Sequence, residues 1–109
     1  MKSYLLDENN VPYEVTLEEY AKGITPDIKR VALDYVDNSI KISTVFLGWD
    51  HSFMEESTPI LFETMIFGGE FDDFQRRYTT YNEALQGHTE AVEMVKQSLT
   101  PKTTDNGKI

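Results

Sequence analysis

Four residues of this 109-residue chain combine reactive side chains with apolar surroundings: Asp50 and His51, which follow the run I-K-I-S-T-V-F-L-G-W, and Glu63 and His88 further on. Neutral imidazoles and carboxylates can together coordinate zinc or manganese, but no two of the four stand at a recognised short ligand spacing. A hydrolytic reading takes His51 or His88 as base, Asp50 or Glu63 as its orienting carboxylate, and Ser43, Thr44 or Thr64 as nucleophile. None of these hydroxyls sits in a nucleophile elbow. Binding without turnover is the third reading. Here the adjacent arginines Arg76 and Arg77 grip an anion, and Tyr35, Trp49, Phe53, Tyr78 and Tyr81 offer rings on which a planar group can stack. Each feature has a plainer alternative. His88 can be a core histidine satisfied by a buried acceptor, and the arginines can pair with local carboxylates in so acidic a chain.

The elements that must position these residues are legible from pattern. Two β-rich runs centre the chain, Ile40 to Gly48 and Ile60 to Phe67. The first places Ile42, Thr44 and Phe46 on one face and Ser43, Val45 and Leu47 on the other. Apolar groups on both faces predict a central strand covered on both sides. In the second run Glu63 shares a face with Leu61 and Met65, and so must pair, hydrogen-bond or rest at a pocket wall. Gly48 marks a bulge or a close approach by another group. Gly68-Gly69 reads as a turn, since no phosphate-loop pattern follows.

Upstream, Tyr4 to Val15 reads as an edge hairpin across Asp7-Glu8-Asn9-Asn10. Thr16 and Glu19 have capping-box spacing and open a short helix ending near Gly23. From Lys29 strict alternation puts Val31, Leu33 and Tyr35 on one face and Arg30, Ala32 and Asp34 on the other, before a hairpin signal at Asp37-Asn38. Ser52 to Pro59 is an acidic surface loop. Thr80 and Glu83 repeat the capping box and begin the longest helix, which ends near Leu99 with Tyr81, Leu85, His88, Val92, Val95 and Leu99 inward. Gly87 costs that helix about 1 kcal/mol relative to alanine, which predicts close packing there. The expected architecture is one α+β domain over residues 1–99: an antiparallel sheet of about five strands, one short helix, and the long C-terminal helix across one face. Residues 100–109 lack periodicity and read as a flexible tail.

Composition bounds the partners. With 39% hydrophobic and 12% aromatic residues the chain can build one core. A formal charge of -9 repels nucleic-acid phosphates at long range, yet a small anion needs only a few local donors. There is no cysteine, no apolar run long enough to cross a bilayer and no signal-peptide pattern at the amino terminus, so a cytoplasmic protein is expected.

The segments I-S-T-V-F-L-G-W-D-H-S-F, P-I-L-F-E-T-M-I-F-G-G and R-R-Y-T-T-Y-N-E-A-L-Q-G-H together resemble a family of small proteins encoded by bacteriophages and prophages. The family pattern looks like S-T-V-F-L-G-L-D-H, then L-F-E-T-M-V-F-G-G, then Y-x-T-x-x-E-A-x-x-G-H. Trp49 stands where that pattern has leucine, and Met54 to Thr58 is more acidic than the usual loop. The resemblance marks Asp50, His51, Glu63, Tyr78 and His88 as recurring polar positions and implies provenance rather than mechanism. That phage provenance, taken with the aromatic and arginine inventory, leads to the expectation of a counter-defence protein of the host cytoplasm, a homo-oligomer that sequesters a nucleotide-derived immune signal through Trp49, Asp50, His51, Glu63, Arg76, Arg77, Tyr78 and His88. No catalytic residue, metal or cofactor is assigned. An acidic adaptor binding a host or phage protein, and a metal-dependent hydrolase using Asp50, His51 and Glu63, are the alternatives.

Overall fold

In the computed structural model, which describes residues 2–50 and 58–100, the elements run β1 (Ser3–Leu6), β2 (Pro12–Val15), α1 (Leu17–Gly23), α2 (Pro26–Lys29), β3 (Arg30–Val36), β4 (Ile40–Phe46), β5 (Phe62–Phe67), β6 (Gln75–Tyr78) and α3 (Tyr81–Leu99). The α+β class holds, with α3 packed on one face of the main sheet. That sheet is four-stranded and antiparallel in the order β3-β4-β5-β6, while β1 and β2 form a separate hairpin. Its turn is closed by the Asp7 carboxylate, which accepts from the amides of Asn9 and Val11. The hairpin meets the main sheet just past β4, where Ser3 bridges to Trp49 and the Tyr4 amide donates to the Gly48 carbonyl at 2.8 Å. Gly48 is needed at that junction. Its φ is 79°, and a Cβ there would overlap the Tyr20 ring.

Both capping boxes form. Thr16 accepts from the Glu19 amide and Glu19 reaches back to Thr16, and Thr80 and Glu83 repeat the exchange. Thr25-Pro26 does more than stop α1: Thr25 caps the single-turn helix α2, with Pro26 in its first turn. The β3–β4 connection uses three residues, with Asp37 and Asn38 both at positive φ, so Ser39 follows the strained pair instead of closing a two-residue turn.

Strict alternation fails at the start of β3. A register shift between Arg30 and Ala32 places Arg30 opposite Val45, while Val31 packs toward the cluster of Tyr4, Phe46, Leu61, Phe62, Tyr78 and Ala84. The extra residue of a bulge moves Val31 off the face of Leu33 and Tyr35 and brings Arg30 onto it. The inward stripe of α3 also differs from the expected one. Ala84, Gly87, His88, Ala91 and Val95 are buried, whereas Leu85 and Leu99 are exposed. Small residues at helical spacing bring the helix axis close to the sheet, so the stripe is rotated toward alanine and glycine and away from the leucines.

The expected double covering of β4 does not occur. Helix α3 covers the face bearing Ile40, Ile42, Thr44 and Phe46, all buried. Lys41, Ser43 and Val45 are half-buried on the opposite face, which among the described residues only the single-turn α2 approaches, with Pro26 and Lys29 beside Ser43 and Val45.

Candidate functional site

One polar side chain from each strand of the main sheet meets one from the helix. The Tyr78 hydroxyl (β6) donates to Thr64 Oγ1 (β5) at 3.1 Å, and Thr64 Oγ1 lies 2.5 Å from Thr44 Oγ1 (β4). Thr44 Oγ1 lies 2.7 Å from His88 Nδ1 (α3), and His88 Nε2 lies 2.8 Å from Asp34 Oδ2 (β3). Register explains the alignment. Thr44 pairs directly with Thr64 on the helix-facing side, and Asp34 occupies the same side of β3. An ionised Asp34 can only accept, so Nε2 carries a proton. With the ring neutral, Nδ1 accepts from Thr44, Thr44 accepts from Thr64, and Thr64 accepts from Tyr78, so each proton in the chain has an acceptor.

The order carboxylate, imidazole, hydroxyl has the connectivity of a catalytic triad. Access decides against that use of it. Thr44 and Thr64 are fully buried and His88 is 5% exposed, so no substrate carbonyl can reach the hydroxyls. What the chain does is fasten α3 to all four strands. Each link contributes roughly 0.5–1.5 kcal/mol net, and considerably more is lost if one partner is removed and another left unpaired.

Of the sequence-predicted residues, Tyr78 and His88 are therefore brought into one network. Glu63 joins neither: it lies on the opposite face of β5, where it holds Arg77 Nε at 2.9 Å and accepts from the Gln75 amide. Glu63 is 8% exposed, and its carboxylate is satisfied by those two donors. Asp50 lies beyond the end of β4 and accepts from the Ile60 amide at 3.1 Å, which ties the exit of β4 to the approach to β5. Trp49 packs edge-on against Tyr20, with ring centroids 5.4 Å apart. His51 and the acidic loop from Ser52 to Ser57 lie outside the described residues, as does the expected tail beyond Thr100.

A hollow of about 380 Å³ lies between β6 and the first turns of α3, lined by Arg76, Arg77, Tyr78, Glu83, Gln86 and Gly87. Its cations are already committed. Arg76 Nη1 sits 2.8 Å from Glu90 Oε1, a hydrogen bond that raises the guanidinium pKa and, with a contact from Gln86, lowers that of Glu90. Arg77 is held by Glu63. Glu83 is held below its ordinary range first by the hydroxyls of Thr79 and Thr80 and then by their amides. Among the described residues, no three His, Asp or Glu side chains are grouped to hold a metal ion.

The sheet face opposite α3 is a regular grid. Across the strands its rows read Tyr35, Lys41, Phe67; then Leu33, Ser43, Met65, Gln75; then Arg30, Val45, Glu63, Arg77. Tyr35 is 60% exposed and Phe67 43%. Besides Arg76-Arg77, of which Arg77 lies on this face, the sequence carries a second adjacent basic pair, Lys29-Arg30, of which Arg30 does. Asp34 and the pairing of Thr44 with Thr64 had no sequence signal, because both depend on which strands become neighbours. No family model, curated protein or solved structure matches the chain.

Proposed function

We propose that this protein is a counter-defence binding protein of phage or prophage type that sequesters a nucleotide-derived immune signal without turning it over. One observation carries the reading. The carboxylate, imidazole and hydroxyl chain of Asp34, His88 and Thr44 is sealed in the core, while the opposite sheet face leaves Tyr35 and Phe67 open to solvent beside cationic side chains. Buried hydroxyls fasten elements together; exposed rings and cations are the surfaces to which a planar, charged small molecule adheres. The resemblance of the central motifs to small phage proteins supplies the biological setting. Metal-dependent hydrolysis through Asp50, His51 and Glu63 gains nothing from Glu63, whose carboxylate is taken by Arg77 and Gln75.

The test is native mass spectrometry of the purified protein, alone and mixed with cyclic dinucleotides and cyclic ADP-ribose isomers. A retained, unmodified nucleotide mass is expected, and its stoichiometry gives the number of sites per oligomer. A converted mass, or none retained across the panel, refutes sequestration.

A second reading is an acidic adaptor for a host or phage protein. It draws on Val11, Tyr13 and Leu17, exposed apolar side chains on the β2–α1 segment beside Glu14 and Glu18. Stable capture of one partner, abolished by Tyr13→Ser with Leu17→Ser, is its expected signature.

A further inference from the structure

The described cations divide into two groups. Lys2, Lys22, Arg76 and Arg77 each lie within ion-pair distance of a carboxylate: Glu14, Glu18, Glu90 and Glu63 respectively. Lys29, Arg30, Lys41 and Lys96 have no carboxylate within that distance among the described residues, and the first three of these line one hollow of about 270 Å³ on the sheet face opposite α3. The hollow is floored by Leu33, Ser43 and Val45. In a chain of net charge -9, three cations that no described carboxylate pairs with around one concavity are a local reversal of the global field. Two pieces of backbone chemistry gather them. The β3 bulge turns Arg30 onto the same face as Val45, and α2 ends at Lys29 immediately before it. Lys41 then projects from the adjacent strand, with Tyr35 directly across on one side and Phe67 on the other. Its ammonium already lies 5.5 Å from the Phe67 ring centroid, whereas Tyr35 has no aromatic partner among the described residues.

We propose that Lys29, Arg30 and Lys41 form the phosphoryl-binding subsite of a nucleotide site, and that the base stacks on Tyr35 at its rim. This rests on the sequestration reading and assigns it a place. A guanidinium fork and two ammonium groups match the charge and the several acceptor oxygens of a phosphoryl group, and Ser43 adds a hydroxyl. Tyr35 supplies the ring face that every base can use. Arg30 also borders a neighbouring hollow that contains Asp7 and Asp27; neither lies within ion-pair distance, and both act against very highly charged ligands.

Calorimetric titration at low ionic strength, with ADP and separately with inorganic pyrophosphate, tests the site. Wild type is expected to take up both ligands, and added salt to weaken both. The triple variant Lys29→Gln, Arg30→Gln, Lys41→Gln is expected to lose about tenfold or more for each ligand. Tyr35→Ala is expected to weaken ADP several-fold and leave pyrophosphate unchanged. Arg76→Gln, which alters the other hollow, is expected to bind as wild type. All the substituted residues except Lys41 are solvent-exposed, and circular dichroism verifies that each variant is folded. Wild-type affinity in the triple variant, or no uptake of either ligand by wild type, overturns the site. Native mass spectrometry separates this failure from that of the function. A cyclic dinucleotide retained equally by wild type and the triple variant removes the site and leaves sequestration standing. ADP bound through the three cations, with no immune signal retained, does the reverse.

Discussion

Replacing Gly87 by alanine sets two effects of known size against one another. Alanine is the better helix former, and in the interior of α3 that preference alone stabilises the fold by about 1 kcal/mol. Yet a Cβ at position 87 would overlap the Tyr78 hydroxyl and the ring carbons beside it. Tyr78 is 6% exposed and its hydroxyl donates to Thr64, so the ring cannot yield without losing a buried contact. It does have somewhere to go, because the 380 Å³ hollow opens beside both residues. Displacement into that space costs the Tyr78–Thr64 hydrogen bond, roughly 0.5–1.5 kcal/mol, and holding the ring in place costs about 1–3 kcal/mol of overpacking. After the helical gain is subtracted, holding the ring leaves a net loss of up to about 2 kcal/mol, and displacement leaves the two effects nearly balanced. For a domain of this size a net loss of about 1–2 kcal/mol lowers the melting midpoint by roughly 4–16 °C. Thermal and urea unfolding of Gly87→Ala, Tyr78→Phe and the double variant measure it. The double variant is expected to lose less than the sum, since the hydrogen bond is lost only once. A Gly87→Ala protein melting about 4–8 °C above the wild-type midpoint, as the helical gain alone predicts, would falsify the packing argument.

Two further outcomes follow from the core network and the helix cap. Thr44→Val keeps the shape of the core but strands the Thr64 proton and His88 Nδ1, and is expected to cost about 1–3 kcal/mol in urea unfolding; Thr44→Val with Thr64→Val is expected to lose less than the two single losses combined, and strict additivity would show that the hydroxyls do not act as a chain. Glu83 has its pKa lowered in the folded protein, so its contribution is fully present above the ordinary glutamate range of about pH 4.3 and disappears as acid titrates it below that. Melting curves between pH 3 and 6 should show Glu83→Gln flattening the acid side of the wild-type profile, and identical acid slopes would discount the cap.

The elements themselves were written locally. Thr16 with Glu19, and Thr80 with Glu83, place a hydroxyl and a carboxylate at the spacing that one turn of helix satisfies, so both helix starts could be read without knowing any neighbour. The alternation of Ile42, Thr44 and Phe46 likewise identified a strand and its buried face. Close packing at Gly87 was legible too, because a glycine inside a good helix needs a reason, although Tyr78 as that reason was not.

What the tertiary structure alone decided was juxtaposition. Strand order put Asp34, Thr44, Thr64 and Tyr78 in line under His88, although Asp34 and His88 are 54 residues apart in the chain. The same pairing sent Glu63 to the far side of the sheet from His88, dissolving a constellation that composition had made attractive. One bulged residue in β3 exchanged the faces of Arg30 and Val31, which period-two reasoning cannot anticipate because the irregularity depends on the partner strand. Propensity and capping act over a few residues and are fixed by the sequence nearby. Charge pairing, burial and access are set by which strands and helices become neighbours, and these separated the satisfied arginines from the three cations left open around Ser43.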